Sequence, residues 1–211
     1  MNFERFIKEY ADVPVIDSRT FSMYESSDDL RRQVTRWVKR GKLIPLKRGL
    51  YIFNDQYRKK KADPLFIANL LVHPSYVSLT YALWHYGLIP EQVSVITSVT
   101  TKKTRTFDNE TGTHEYRSIK KAAFKGYKRL RKGDHNIFIA APEKALVDYF
   151  YYYSGKGADA EYFESLRLQN LDRLDLHDIN SYKGVYNKRV DKVITAFSAY
   201  CKDYERRFRS L

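Results

Sequence analysis

SSDDLRRQVTRWVKRGKLIPLKRGLYIF, residues Ser26 to Phe53, reads as a capped helix, a glycine stop and two short β segments joined by Lys47-Arg48-Gly49. Ser26-Ser27-Asp28-Asp29 supplies a Ser-x-x-Asp variant of the capping box, with two carboxylates at the positive pole of a helix that should start there. At about 100° per residue, Leu30, Val34, Trp37 and Val38 fall in one apolar sector, and Arg32, Thr35, Arg36 and Lys39 lie opposite. Gly41 follows the last periodic residue as a C-cap, and Arg40 suits the negative end of the dipole.

Between Leu30 and Asn54 stand eight basic residues (Arg31, Arg32, Arg36, Lys39, Arg40, Lys42, Lys47 and Arg48) and no Asp or Glu. A helix sized for the DNA major groove, with guanidinium groups outward and a basic hairpin behind it, is the plan of a winged helix-turn-helix. The competing reading is a solvated basic helix followed by an ordinary hairpin. Helix, glycine stop and basic hairpin occurring together and in order favour DNA.

The whole chain has 211 residues, enough for two domains and a core without staples, and a formal charge of +13 from 38 basic and 25 acidic residues. Such a balance points to polyanions or acidic protein surfaces as partners. The single cysteine, Cys201, excludes an internal disulfide and suits a reducing cytoplasm. MNFERFIKEYADVPV lacks the apolar core of a signal peptide, and the longest apolar stretch, Pro64 to Val72, is far too short to span a bilayer, so no membrane partner is expected.

Phe3, Phe6, Ile7 and Tyr10 repeat with helical spacing, and Asp17 or Ser18 can cap a short helix through Tyr24. Lys42 to Leu46 and Leu50 to Phe53 are the hairpin strands, the first confined to a sheet edge by Pro45. The run Arg58-Lys59-Lys60-Lys61 precedes Asp63-Pro64, a helix-opening pair, and the domain boundary is placed there. The expected fold class is therefore α+β: a winged helix-turn-helix over residues 1–60, followed by a mixed α/β effector domain over residues 61–211.

In that second part Pro64 to Val72 and LTYALWHYG are helical, the latter stopped by Gly87. Val93 to Thr100, Thr104 to Phe107 and His114 to Ser118 form an antiparallel β unit. Arg117 to Lys132 holds eight cations (Arg117, Lys120, Lys121, Lys125, Lys128, Arg129, Arg131 and Lys132) and no acid, interleaved with Phe124 and Tyr127, a second cationic surface. A short strand at Ile137 to Ala140, a helix from Pro142, a helix from Asp159 to Leu168 and a long terminal helix complete the chain. The last has Val190, Val193, Ile194, Phe197, Cys201, Tyr204 and Phe208 on one side.

Catalytic and metal signals are thin. His73, His85, His114, His135 and His177 show no ligand spacing, so neither a metal nor another cofactor is expected. Ser154-Gly155-Lys156-Gly157 lacks the full phosphate-loop pattern and reads as a turn, and Cys201 on an apolar stripe reads as core. Glu143-Lys144 is the nearest approach to a nuclease Glu-x-Lys triplet, and it sits at a helix start. Tyr149 to Tyr153, five aromatics in a row, cannot all face inward; surface packing and a partner site both fit them.

Four blocks in order, RWVKRGKLIPLKRGLYIF (Arg36 to Phe53), YVSLTYALWHYGLIPE (Tyr76 to Glu91), VITSVTTKKTRTF (Val95 to Phe107) and APEKALVDYFY (Ala141 to Tyr151), resemble AbiEi-type antitoxins of type IV toxin-antitoxin systems over roughly residues 15 to 155. The resemblance implies a winged helix that represses its own operon at inverted repeats, an arrangement compatible with a homodimer on DNA. It also implies a second domain that counteracts a co-encoded nucleotidyltransferase toxin. It carries over no catalytic residue.

The expected function is thus a non-enzymatic regulator of double-stranded DNA with an antitoxin role. Ser26 and Ser27 would hold phosphate, Arg31, Arg32, Gln33, Thr35 and Arg36 would face base edges, and Lys39, Arg40, Lys42, Lys47 and Arg48 would grip the backbone, with Gly49 making the turn. Lys47→Ala would then weaken all duplexes and lower the salt slope. The second cationic surface would touch flanking DNA or RNA. The alternatives are a nucleic-acid-processing enzyme, which requires clustered carboxylates in a cleft of the second domain, and a regulator whose tyrosine-rich face binds protein.

Overall fold

The computed structural model describes residues 1–23, 27–155 and 158–209, without the side chains of Ser27, Glu205, Arg207, Phe208 and Arg209. The expectations placed on Tyr24, Ser26, Lys156, Gly157 and Phe208, and on the Ser27 hydroxyl, lie outside these described residues. The fold is mixed α/β.

The chain opens with α1 (Phe3–Tyr10), capped by Asn2, whose side chain accepts from the Arg5 amide. Next come strand β1 (Ile16–Asp17), a 3-10 segment (Ser18–Met23), α2 (Ser27–Lys39), β2 (Leu43–Lys47) and β3 (Leu50–Phe53). Gly41 takes a positive φ of 68°. Its amide bonds Val38 O (2.9 Å) and the Lys42 amide bonds Trp37 O (2.9 Å), the double closure that satisfies the last carbonyls of a helix.

The three strands form an antiparallel sheet in the order β1-β3-β2, so Pro45 does lie on an edge strand. The strand β1 was not legible in the sequence. Its pairing with β3 keeps the chain extended to Asp17, and the Ser18 amide then bonds Gly49 O at 2.8 Å. Ser18 to Met23 is accordingly a 3-10 segment in place of the expected α-helix, with Phe21 buried beneath it. Phe6, Tyr10, Phe21, Leu30, Val34, Trp37, Leu43 and Phe53 make one core, in which Phe6 and Trp37 lie 4.7 Å apart centroid to centroid.

Helix α3 (Pro64–Leu71), β4 (Ser75–Val77), α4 (Leu79–His85), β5 (Ile96–Thr100), β6 (Arg105–Asn109) and β7 (Gly112–Ser118) begin the second part. Strands β8 (Tyr127–Lys132) and β9 (His135–Ala140) come next, then helices α5 (Pro142–Tyr153), α6 (Ala160–Ser165), α7 (Leu176–Asn180) and α8 (Lys188–Arg209). Six strands form one mixed sheet in the order β6-β7-β5-β4-β9-β8. The expected antiparallel unit is therefore corrected: β6 and β7 are antiparallel, but β6 folds to the outer edge and β7 returns beside β5 in parallel.

A separate cluster crosses the expected boundary near residue 60. Leu46, Leu50 and Ile52 of the hairpin pack with Ile67, Leu71 and Val72 around α3 and with Tyr116 of β7. The Tyr116 hydroxyl donates to Ala68 O (2.6 Å), and Asn109 Nδ2 donates to Leu46 O (3.2 Å). The basic run before α3 is tied down in part as well: Lys60 pairs with Asp134 at 3.2 Å and Arg58 with Asp55.

His114 on β7 is fully buried, with Nε2 3.0 Å from the Thr111 hydroxyl and Nδ1 without a hydrogen-bond partner among the described residues. Burial pulls its pKa down to about 4. The unfolded chain binds a proton there below about pH 6.5 and the folded chain does not, so stability rises with pH across that interval. Denaturant titrations should show roughly 3 kcal/mol lost between pH 6.5 and 4 through this group, and His114→Leu should flatten that part of the profile.

Candidate nucleic-acid interface

The helix α2 has the two-sided character its sequence predicts. Leu30, Val34 and Trp37 are buried, while Arg31, Arg32, Thr35, Arg36 and Lys39 are exposed, as are Arg40, Gly41 and Arg48. Arg31 pairs with Asp28 at 2.9 Å and Arg32 with Asp29 at 3.6 Å, each one turn along the helix. The two guanidinium side chains keep 52% and 76% of their surface. Pairs this exposed are weak and exchange readily for a phosphate. Arg36, Lys39, Arg40 and Arg48 have no acidic partner within ion-pair distance among the described residues.

Other residues expected at the interface are placed differently. Gln33 is half-buried and its Oε1 is wholly enclosed, without a hydrogen-bond partner among the described residues, because it sits on the flank that packs. It does not face outward. The Thr35 hydroxyl donates to Arg31 O (3.0 Å), back into its own helix. Lys42 is half-buried with its ammonium 4.2 Å over the Phe3 ring. Gly49 makes the turn at φ +86°, where a Cβ would stand 2.9 Å from Ser18 Oγ.

Lys47 is the clearest correction. Its ammonium donates to Leu71 O (2.6 Å) and Leu70 O (3.3 Å), the carbonyls at the negative end of α3. Burial, with the Arg19 guanidinium adding to it, pulls its pKa below the ordinary lysine value. Lys47 thus clamps the hairpin to the second part instead of projecting at a duplex. Lys47→Ala should cost about 1 kcal/mol of folding stability in urea melts and leave the salt slope of duplex binding where it is in wild type.

The second cationic stretch is dispersed by the fold. Arg117 lies on β7, apart from β8 in the strand order, and pairs with Glu115 (3.5 Å). Lys120 donates to Tyr186 O (2.6 Å), Lys132 pairs with Asp63 (2.7 Å), and Lys128 stands 5.2 Å over the Tyr86 ring. All of these but Arg117 are exposed, and Lys121, Lys125, Arg129 and Arg131 are so without an acidic partner among the described residues, the last two on β8, which is itself an edge strand.

Sequence reasoning missed a buried polar network. Lys144 and Asp148, one turn apart on α5 and both fully buried, pair at 2.5 Å. Asp148 Oδ1 also accepts from the Tyr186 hydroxyl (2.6 Å), and Oδ2 accepts from Tyr76 (3.0 Å) and Ser78 (2.8 Å). Lys144 donates to the Tyr186 oxygen as well, and the rings of Tyr76, Tyr182 and Tyr186 surround its ammonium. Burial lowers the pKa of Lys144 against the pull of Asp148, and raises those of Tyr76 and Tyr186. The signal was a Lys and an Asp four apart inside the apolar face of APEKALVDYFY.

This network is closed: four donors fill the carboxylate, and Lys144, Asp148, Tyr76 and Ser78 show no surface. Asp148 is thus a single carboxylate enclosed by its own donors, with no exposed surface. Among the described residues no three His, Cys, Asp or Glu side chains gather as metal ligands, and no helix is long and apolar enough to cross a membrane. In the aromatic run Phe150 is buried, Tyr149, Tyr151 and Tyr152 are half-buried, and Tyr153 is 41% exposed.

No family model matches the chain, and no curated protein matches it.

Proposed function

We propose that the chain binds double-stranded DNA through α2, as the reading helix of a winged helix-turn-helix regulator, with the β2–β3 hairpin as its wing. The observation that carries this is the exposed row Arg32, Arg36 and Lys39, continued by Arg40 in the closing turn, on a helix anchored by Leu30, Val34 and Trp37. Arg32 and Arg36 are the candidates for base edges, and Arg31, Lys39, Arg40 and Arg48 for the phosphate backbone. Gln33 and Lys47 drop out of the interface, the one enclosed and the other committed to α3.

The further role, an autorepressor and antitoxin that counteracts a nucleotidyltransferase toxin, is supported by the order of the four AbiEi-like blocks between Arg36 and Tyr151. A reporter fused to the promoter upstream of the gene tests the regulator: repression by the chain supports it, and expression unchanged by the chain refutes it. Co-expression with the adjacent reading frame tests the antitoxin role. Relief of that product's growth inhibition supports it, and growth arrest that the chain leaves untouched refutes it.

A further inference from the structure

We propose that the outward face of the β8–β9 pair is a second nucleic-acid site, built for single strands and independent of α2. Directly paired residues of antiparallel strands point to the same side, and the register sets Tyr127 opposite Ala140, Arg129 opposite Phe138 and Arg131 opposite Asn136. One face therefore carries Tyr127, Arg129, Arg131 and Phe138 together. Contact between the Tyr127 and Phe138 rings, 6.0 Å apart, places both on that face.

The Tyr127 ring lies parallel on Tyr76 at 4.8 Å and still leaves 38% of the residue exposed. Tyr76 is fully buried and anchored through its hydroxyl to Asp148. The outer ring is thus a fixed platform backed by the closed network below it, with Phe124 5.3 Å to one side. Arg129 and Arg131, two residues apart and about 7 Å along the strand, are exposed beside it without an acidic partner among the described residues. Lys121 and Lys125, also exposed, lie just before the strand. The nearest acid in sequence, Asp134 in the β8–β9 turn, is already paired with Lys60.

Cations on an edge strand also guard against strand-to-strand aggregation. That role needs no stacked ring, and it would be served by one or two charges. A flat exposed ring beside paired arginines suits bases that are unstacked and splayed, with phosphates held alongside, and a duplex offers no free base face to such a ring.

The test is fluorescence anisotropy of the full chain with labelled oligo-dT and oligo-rU of about 12 nucleotides. Wild type is expected to bind at least one of them. Arg129→Ala with Arg131→Ala should weaken binding about tenfold or more and make the salt slope shallower by about 1.4, and Tyr127→Leu should weaken it at least several-fold. Arg32→Ala with Arg36→Ala should leave single-strand affinity at the wild-type value, so this site and the duplex site fail separately. No binding of either oligomer, a β8 double variant that binds as wild type does, or equal loss in the α2 variant would each overturn the proposal.

Discussion

Asp148→Ala is expected to cost about 3 to 5 kcal/mol of folding stability and to lower the melting temperature by on the order of 10 °C. The substitution leaves the Lys144 ammonium fully buried among the Tyr76, Tyr182 and Tyr186 rings with the Tyr186 oxygen as its remaining hydrogen-bond partner, and it frees the hydroxyls of Tyr76 and Ser78 from their acceptor. An uncompensated buried charge is far more costly than the net value of the pair it came from. Lys144→Met also strands a buried charge, but it should be milder, because three hydroxyl donors still solvate the Asp148 carboxylate. Urea and thermal melts of the two variants would show the order, and an Asp148→Ala protein within about 1 kcal/mol of wild type would contradict the network's role.

How far the sequence spoke depends on the kind of signal each element carries. The helix α2 was legible because apolar period, acidic start and glycine stop agree, and Gly41 closes it as its position predicts. The strand β8 was not, since YKRLRK has no buried face to alternate with polar residues; only its place at the sheet edge allows such a composition. The parallel return of β7 beside β5 and the pairing of β1 with β3 are tertiary choices that no local pattern announces.

The candidate interface divides the same way. Exposure of Arg32 and Arg36 follows from their angle on the helix, but the fate of Lys47 depends on where the end of α3 comes to rest. Gln33 lies at the border of the apolar sector, where a helical wheel cannot separate outward from enclosed. The pairing of Lys144 with Asp148 shows the converse. In the sequence Lys144 was weighed only with Glu143 against a nuclease triplet, and only the converging Tyr76, Ser78 and Tyr186 reveal what holds it and Asp148 inside.

Arg32→Ala with Arg36→Ala should remove about 2 to 6 kcal/mol of duplex binding, since each base-edge contact is worth about 1 to 3 kcal/mol. Neither side chain supports the core: both are exposed, and Arg32 keeps 76% of its surface. Melting curves should therefore match wild type, so that a binding defect cannot be ascribed to unfolding. The decisive measurement is a gel-shift titration of wild type and this double variant against the upstream promoter duplex across a range of salt. If α2 reads DNA, the wild-type complex is salt-sensitive and the folded variant binds at least tenfold more weakly; equal affinity of the two proteins would contradict that role.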